Sequence, residues 1–160
     1  MKETILNLLE KNSRLTAKEI AEQTGYDEKE VENTIKEMEK DRVICGYNTL
    51  INWDKTGRDY ITALIEVKVT PQRGNGFDKV AERIYSFDEV KAVYLMSGGF
   101  DLCCMVSDKS FEEIALFVAN RLSPLDGVMS TATHFILKKY KEQGVFFTEA
   151  PKDDRGIFSF

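Results

Sequence analysis

The residues of this sequence that could do covalent or metal chemistry are its thiols and its imidazole. It contains three cysteines and one histidine: Cys45, Cys103, Cys104 and His134. No CxxC spacing occurs, and adjacent cysteines on a strand point to opposite faces, so they are poor partners for each other. We therefore expect neither a disulfide framework nor a structural zinc site. We interpret all three cysteines as small buried apolar residues.

Few side chains of this sequence could act in catalysis. A nucleophilic triad would have to be built on His134, and no histidine–arginine pair, metal-ligand cluster or phosphate-binding glycine loop accompanies it. We therefore predict that the chain is not an enzyme. We also expect that it needs neither a metal nor a cofactor.

A glycine pair marks the clearest turn in the sequence. Residues 90–97 and 100–107 are rich in strand-forming types, and Gly98-Gly99 separates them. Two such runs joined by two glycines predict a β-hairpin with a tight turn. Asp101 follows closely, although an aspartate beside a glycine turn is common in any hairpin.

Two helices and two further strands surround this hairpin. The alternation over 60–70 predicts a strand, and the apolar spacing over 77–84 predicts a helix. A capping box at 110–113 starts a second helix, and a last strand is predicted over 128–141. The apolar stripe of that second helix is predicted to be Phe111, Ile114, Ala115, Val118 and Leu122. The order β-α-β-β-α-β is that of a ferredoxin-like fold, which covers one sheet face with helices and leaves the other open for pairing.

The first third of the chain predicts three short helices. A capping box at 16–19 starts the second helix, and Gly25 ends it. The third helix is predicted over 27–41, and residues 43–48 have the composition of a strand or a short wing. Two short helices joined at a glycine predict a helix-turn-helix, although a small three-helix bundle without a role in DNA binding fits the same pattern.

Composition limits the remaining possibilities. The chain has 160 residues and a net charge of −5, which argues against a surface that is basic throughout. We expect a first domain over 1–52, a linker over 53–58, a second domain over 59–141 and a tail with several aromatic residues over 142–160. No apolar run is long enough for a membrane span and no signal peptide is recognisable, so we expect a cytoplasmic protein with no membrane partner.

Four segments together identify a resemblance to a known family. The chain resembles the Lrp/AsnC (leucine-responsive, feast/famine) transcription regulators, on the segments LTAKEIAEQTG, RVICGYNTLINW, YLMSGGFDLCCMV and STATHFILKKYKEQGV. The resemblance implies an α+β protein, with an N-terminal winged helix-turn-helix followed by a ferredoxin-like βαββαβ ligand-sensing domain. It also implies double-stranded DNA as a partner, an amino acid or similar small effector, and a homodimer that assembles to a tetramer or octamer.

The resemblance places the DNA-reading helix at 27–41. The DNA-binding residues that follow are Thr16, Lys29, Asn33, Thr34 and Lys36. The family usually has arginines on this helix, one of them near Asn33, whereas this helix has three basic and seven acidic residues. Phosphate contacts supply most of the non-specific affinity, so this surface is expected to bind DNA weakly on average.

The resemblance also places an effector site at the hairpin turn and on the last strand. Its residues are Ser97, Gly98, Gly99, Asp101, Thr131, Thr133 and His134. Glycine N–H groups can approach a carboxylate closely, and Asp101 can pair with an ammonium group. Thr131 and Thr133 point the same way off one strand, and His134 points the other way.

Two alternatives remain open from the residues. One is a metabolite-binding oligomeric module whose helix-turn-helix is degenerate and binds little DNA. The other is an enzyme, since some relatives of this family decarboxylate tetrapyrroles, but that chemistry would need His134 to be essential.

Overall fold

The computed structural model describes residues 1–70 and 76–149 and divides into two units, one from Met1 to Ile51 and one from Asn52 onward. Residues 71–75, part of the loop that composition predicts over 71–76, and the apolar tail residues Ile157, Phe158 and Phe160 lie outside the described residues. None of the described helices is long and apolar enough to cross a membrane.

The first unit consists of three helices and the extended segment that follows them. They are α1 (Lys2–Lys11), α2 (Ala17–Thr24) and α3 (Glu28–Lys40). Their buried residues form one core: Ile5, Leu9, Ile20, Val31 and Met38. The predicted capping box is present, because Thr16 Oγ1 accepts a hydrogen bond from the Glu19 N–H and the Glu19 carboxylate accepts one from the Thr16 N–H. Gly25 ends α2 in the left-handed conformation, with φ 75°.

The strand predicted over 43–48 is absent from the described structure. Arg42 has φ 56°, and the N–H groups of Val43 and Ile44 both donate to the Met38 carbonyl, at 2.8 and 3.0 Å. This pattern of hydrogen bonds closes a helix C-terminus, usually around a glycine. The N–H groups of Val43 and Ile44 therefore bind the C-terminal end of α3 and do not pair with a neighbouring strand. Cys45 follows in this segment and is exposed, so the prediction that all three cysteines are buried was wrong for Cys45.

The second unit is an antiparallel sheet with helices on one face. Its principal elements are β1 (Ile61–Val69), α4 (Asp78–Tyr85), β2 (Val90–Leu95), β3 (Leu102–Asp108), α5 (Phe111–Phe117) and β4 (Val128–Phe135). The sheet order is β2-β3-β1-β4, which confirms the predicted ferredoxin-like arrangement. The alternation predicted for β1 is also observed, since Ala63, Ile65 and Val67 are buried against the helices.

Two local predictions in this unit were wrong. The hairpin strands end at Leu95 and begin again at Leu102, so the connection is wider than a two-residue glycine turn. The last strand ends at Phe135, which pairs with Ala63 close to the start of β1, and the Ile136 N–H still donates to the Thr62 carbonyl at 2.9 Å. A short second hairpin follows instead, formed by β5 (Lys141–Glu142) and β6 (Val145–Phe146) around left-handed Gln143 and Gly144.

The apolar stripe predicted for α5 differs from the buried side. Ile114, Phe117, Val118 and Leu122 are buried, whereas Phe111 and Ala115 are exposed. Ile114, Phe117 and Val118 follow the α-helical spacing of three and four residues, which puts Phe117 on the inner side. Phe111 lies at the start of the helix, where its ring packs against that of Phe135 with centroids 4.8 Å apart. A π-helical turn over Val118–Leu122 follows α5 directly.

Candidate functional site

The exposed side of α3 carries a narrow line of basic and amide side chains. Lys29, Asn33, Lys36 and Lys40 are spaced by three or four residues and therefore share one side of the helix. All four are exposed, and they lie opposite the buried residue Val31. We call these four residues the lysine stripe. Three predicted DNA-binding residues belong to it, and sequence reasoning missed Lys40, which its spacing from Lys36 would have indicated.

Acidic residues border the lysine stripe on both sides. Helical spacing places Glu28, Glu32 and Glu39 along one border and Glu30 and Glu37 along the other. Glu32 Oε1 lies 2.6 Å from Lys36 Nζ, and this hydrogen bond lowers the pKa of the Glu32 carboxyl. The seven acidic residues of the 27–41 segment therefore lie off the lysine stripe, and the three lysines of the segment lie on it.

The two threonines predicted to contact DNA have partners within the protein. Thr34 is half-buried, and its hydroxyl donates to the Glu30 carbonyl at 2.7 Å. Thr16 is exposed, but its hydroxyl donates to Glu19 Oε2 at 2.8 Å as part of the capping box. Both hydroxyls therefore have partners in their own helix, and neither residue lies on the lysine stripe.

Asp101 anchors the wide hairpin turn to the central strand. Its Oδ2 accepts a hydrogen bond from the Val69 N–H at 2.8 Å, and its own N–H donates to the Val67 carbonyl at 3.1 Å. Its carbonyl accepts from the Met96 N–H at 2.8 Å. One carboxylate oxygen thus satisfies a backbone donor at the end of β1. Sequence reasoning missed this role, because it depends on a strand distant in sequence.

The loop beside Asp101 is open to approach. Ser97, Gly98 and Gly99 are exposed, and a Cβ built on either glycine would meet nothing within 4 Å. Gly98 has φ 139°, a conformation that residues with a side chain rarely adopt. A ligand could therefore reach the backbone N–H groups of this loop without steric hindrance.

The three predicted effector residues on β4 lie on two different faces of the sheet. Thr131 pairs with Val67 and Thr133 with Ile65, so both face the helices. His134 pairs with Leu64 and therefore lies on the open face. Thr131 Oγ1 also lies 3.0 Å from Ser123 Oγ, at the end of the π turn.

The turn and Thr131 share one end of the sheet. Leu95, Leu102, Val67 and Thr131 form one row across the four strands. Neighbouring strands lie about 4.8 Å apart, so Thr131 is about 10 Å from the start of β3. The structure therefore brings the turn and Thr131 to the same edge, and it leaves His134 on the other face.

Comparison with known proteins supports both units. A model of the Lrp/AsnC ligand binding domain matches residues 62–146, and a model described as winged helix-turn-helix DNA-binding matches residues 2–44. The chain is 49% identical over 160 residues to the HTH-type transcriptional regulator YugG of Bacillus subtilis (strain 168), covering 99% of this chain and 96% of that protein. It is 31% identical over 137 residues to the HTH-type transcriptional regulator LrpA of Pyrococcus horikoshii, covering 86% of this chain and 94% of that protein.

A solved structure has the same fold. The transcriptional regulator NMB0573 of Neisseria meningitidis, in complex with L-Met, matches with a TM-score of 0.68 and 21% identity, over 88% of this chain and 90% of that chain. The two relatives above are HTH-type transcriptional regulators, which agrees with the prediction that this chain is not an enzyme.

Proposed function

The chain belongs to the Lrp/AsnC family of helix-turn-helix transcription regulators, and from this membership we propose that it binds double-stranded DNA through the lysine stripe of α3. We further propose that a small effector, an amino acid or a similar metabolite, binds at the turn end of the sheet and modulates DNA binding or assembly. The observation that carries the proposal is the concentration of Lys29, Lys36 and Lys40 on the outward side of α3.

The lysine stripe suits a helix that enters the major groove. Lysines on the outward line can contact phosphates or guanine edges, and Asn33 can pair with adenine. The acidic borders repel the backbone on either side, so they weaken binding to all sequences. Two helices in a dimer would compensate, because two weak half-site contacts add through a high effective concentration.

A charge-removal pair tests the DNA-binding surface. Lys29→Gln is expected to weaken binding to specific and unrelated DNA fragments alike. It should also reduce the magnitude of the slope of log K against log salt concentration by about one per bound copy. Lys11→Gln, at the exposed end of α1, is the matched control and should leave both unchanged. Equal effects of the two variants would show that net charge, and not the lysine stripe, controls binding.

Asn33 tests sequence reading separately. Asn33→Ala should reduce the preference for a specific site by about 1–3 kcal/mol, with little effect on unrelated DNA. An unchanged preference would remove Asn33 from the proposed reading surface. If neither fragment binds the wild-type protein, the alternative of a metabolite-binding module with a degenerate helix-turn-helix becomes the better proposal.

The effector proposal rests on the chemistry of the turn. Gly98 and Gly99 present accessible backbone to a ligand carboxylate, and Asp101 has a second oxygen beyond the one that binds Val69. Ser97 and Thr131 add hydroxyls at the same edge of the sheet. Thr133 lies two residues further along β4, on the same face as Thr131. The L-Met complex of the Neisseria regulator supports an amino acid as the ligand class. We omit His134 from this pocket, because it lies on the opposite face.

The open face of the sheet is proposed as the surface that pairs two copies. Leu64 and Met105 are half-buried there, and Tyr94 is exposed. The face also carries charges of both signs, Glu66 and Lys68, so two copies related by a two-fold axis can complement each other. Further association to a tetramer or octamer would bring the turn ends of different dimers together.

A further inference from the structure

Glu66 and His134 form a pair on the open face. His134 Nε2 lies 3.2 Å from Glu66 Oε1, and the two side chains are 57% and 35% exposed. They are diagonal neighbours on β4 and β1, since His134 pairs with Leu64 and Glu66 with Ala132. His134 is the single histidine of the sequence. No element of the proposed DNA or effector site uses this pair.

The surroundings of the pair on the described open face carry few other charges. The row of His134 continues through Leu64, Met105 and Ala92, and the row of Glu66 continues through Cys103 and Tyr94. Lys68 lies two residues beyond Glu66 on β1 and is exposed.

The other titratable side chains on this described face are Cys103, Tyr94 and Lys68. Burial, and then the neighbouring Glu66 carboxylate, raise the pKa of the Cys103 thiol, so this group stays neutral. Histidine is the side chain whose charge does change between about pH 6 and 8.

Pairing two copies through this face would change the environment of both residues. Each copy would bring one Glu66 carboxylate into an interface that excludes water, and a charge buried without a partner costs free energy. With a neutral His134, each Glu66 carboxylate has no counter-charge at hydrogen-bond distance in its own chain, and its compensation depends on Lys68 across the interface. With a protonated His134, each carboxylate has a counter-charge at hydrogen-bond distance.

We propose that pairing through the open face takes up protons at His134, so that the dimer tightens as the pH falls from 8 to 6. The proposal rests on the proposed pairing of two copies and adds a regulatory input to it. The sign follows from linkage: the paired state binds more protons than the free chains, so a lower pH favours it. Uptake of one proton per dimer corresponds to a tenfold change in the dissociation constant per pH unit.

Sedimentation of the full chain at constant ionic strength tests the proposal. A fluorophore on exposed Cys45 allows detection at concentrations low enough for dissociation. The wild-type dissociation constant is expected to be at least about tenfold lower at pH 6 than at pH 8. A dimer whose dissociation constant is the same at both pH values, or higher at pH 6, overturns the inference.

Two variants and a control separate the pair from general charge effects. His134→Gln should give a dimer with no pH dependence between 6 and 8. Glu66→Gln should lose the tightening at low pH, because a protonated His134 then has no counter-charge in its own chain. It should dimerise more tightly than the wild type at pH 8, because it removes the buried charge. Glu82→Gln, on the outer side of α4, removes the same charge away from the open face and should retain the wild-type dependence.

The experiment distinguishes a failure of the open-face dimer from a failure of the proton linkage. A wild-type chain that stays monomeric at both pH values contradicts the open-face dimer, and the proton linkage with it. A wild-type dimer with a pH dependence that persists in His134→Gln retains the dimer and contradicts only the linkage.

Discussion

Asp101 has two separable roles in this account, and substitution at this position distinguishes them. Its Oδ2 accepts the Val69 N–H at 2.8 Å, and its charge is proposed to bind an effector ammonium group. Asp101→Ala removes both the acceptor and the charge. Asp101→Asn keeps an acceptor oxygen of the same reach and removes only the charge.

The cost of the alanine variant follows from the burial of Val69. That residue is 2% exposed, so its N–H would lose its partner in a site with little access to water. An unsatisfied buried donor costs about 1–3 kcal/mol. Asp101 is itself half-buried, which places the expected loss at about 1–2 kcal/mol. For a unit of this size, that loss lowers the melting temperature by about 5–10 °C. The asparagine variant is expected to lose only a small part of this.

The assay combines thermal unfolding with an effector response. Each variant is titrated with a panel of L-amino acids, and DNA binding or sedimentation is measured alongside the melting temperature. Both variants should lose the response, and only Asp101→Ala should lose the stability. A full response in Asp101→Asn would refute the ammonium contact. An asparagine variant as unstable as the alanine variant would refute the hydrogen-bond assignment.

Three further predictions concern the helix cap, the thiols and the core. Thr16→Ala should destabilise the first unit by about 1 kcal/mol in thermal unfolding, because it removes an N-cap acceptor. The Thr16 N–H and then its hydroxyl lower the pKa of the Glu19 carboxyl, so the cap's contribution is present at neutral pH and is lost as the pH falls through that lowered value. An acid titration of unfolding checks this by comparing the wild type with Glu19→Gln, which should lack this part of the acid destabilisation. Burial raises the pKa of the Cys104 thiol to about 12, so a thiol reagent at pH 8 should modify exposed Cys45 rapidly and leave Cys104 unmodified until unfolding. Ile65→Ala, in the centre of the sheet, should cost about 2–5 kcal/mol of unfolding free energy.

Local patterns predicted the elements whose form depends on nearby residues. The capping box at Thr16 and Glu19 is a contact three residues apart, so the sequence contains all of it. The buried face of β1 follows from a period of two, which Ala63, Ile65 and Val67 satisfy without reference to any neighbour. The order of strands then followed from the order of helices and strands along the chain.

Features that depend on distant partners were not predictable in the same way. The π turn at Val118–Leu122 has no local signature. Phe117 is buried with its ring 5.4 Å from that of Phe87, a residue distant in the sequence, whereas Phe111 stays exposed. The use of the Asp101 carboxylate depends on Val69, which is 32 residues away. Arg42 ends α3 in a left-handed conformation that usually needs glycine, so the chain turned where a strand was predicted.

For the candidate site, helical spacing contained more information than residue counts. Counting charges over 27–41 gives a net acidic helix, which predicts weak DNA binding. Placing the same residues on the helix separates an outward line with Lys29, Lys36 and Lys40 from acidic borders. On β4, alternation separates Thr131 from His134, and the register with β1 shows which of the two faces the helices.

The salt dependence of DNA binding tests the central claim most directly. The purified chain is titrated onto its own upstream region and onto an unrelated fragment at two salt concentrations. Three stripe lysines on each of two copies allow a slope of log K against log salt no steeper than about −5. The account predicts a preference for the upstream region and a slope that approaches this limit. Equal binding to both fragments at low salt, or a slope near zero, would contradict a DNA-reading role for α3.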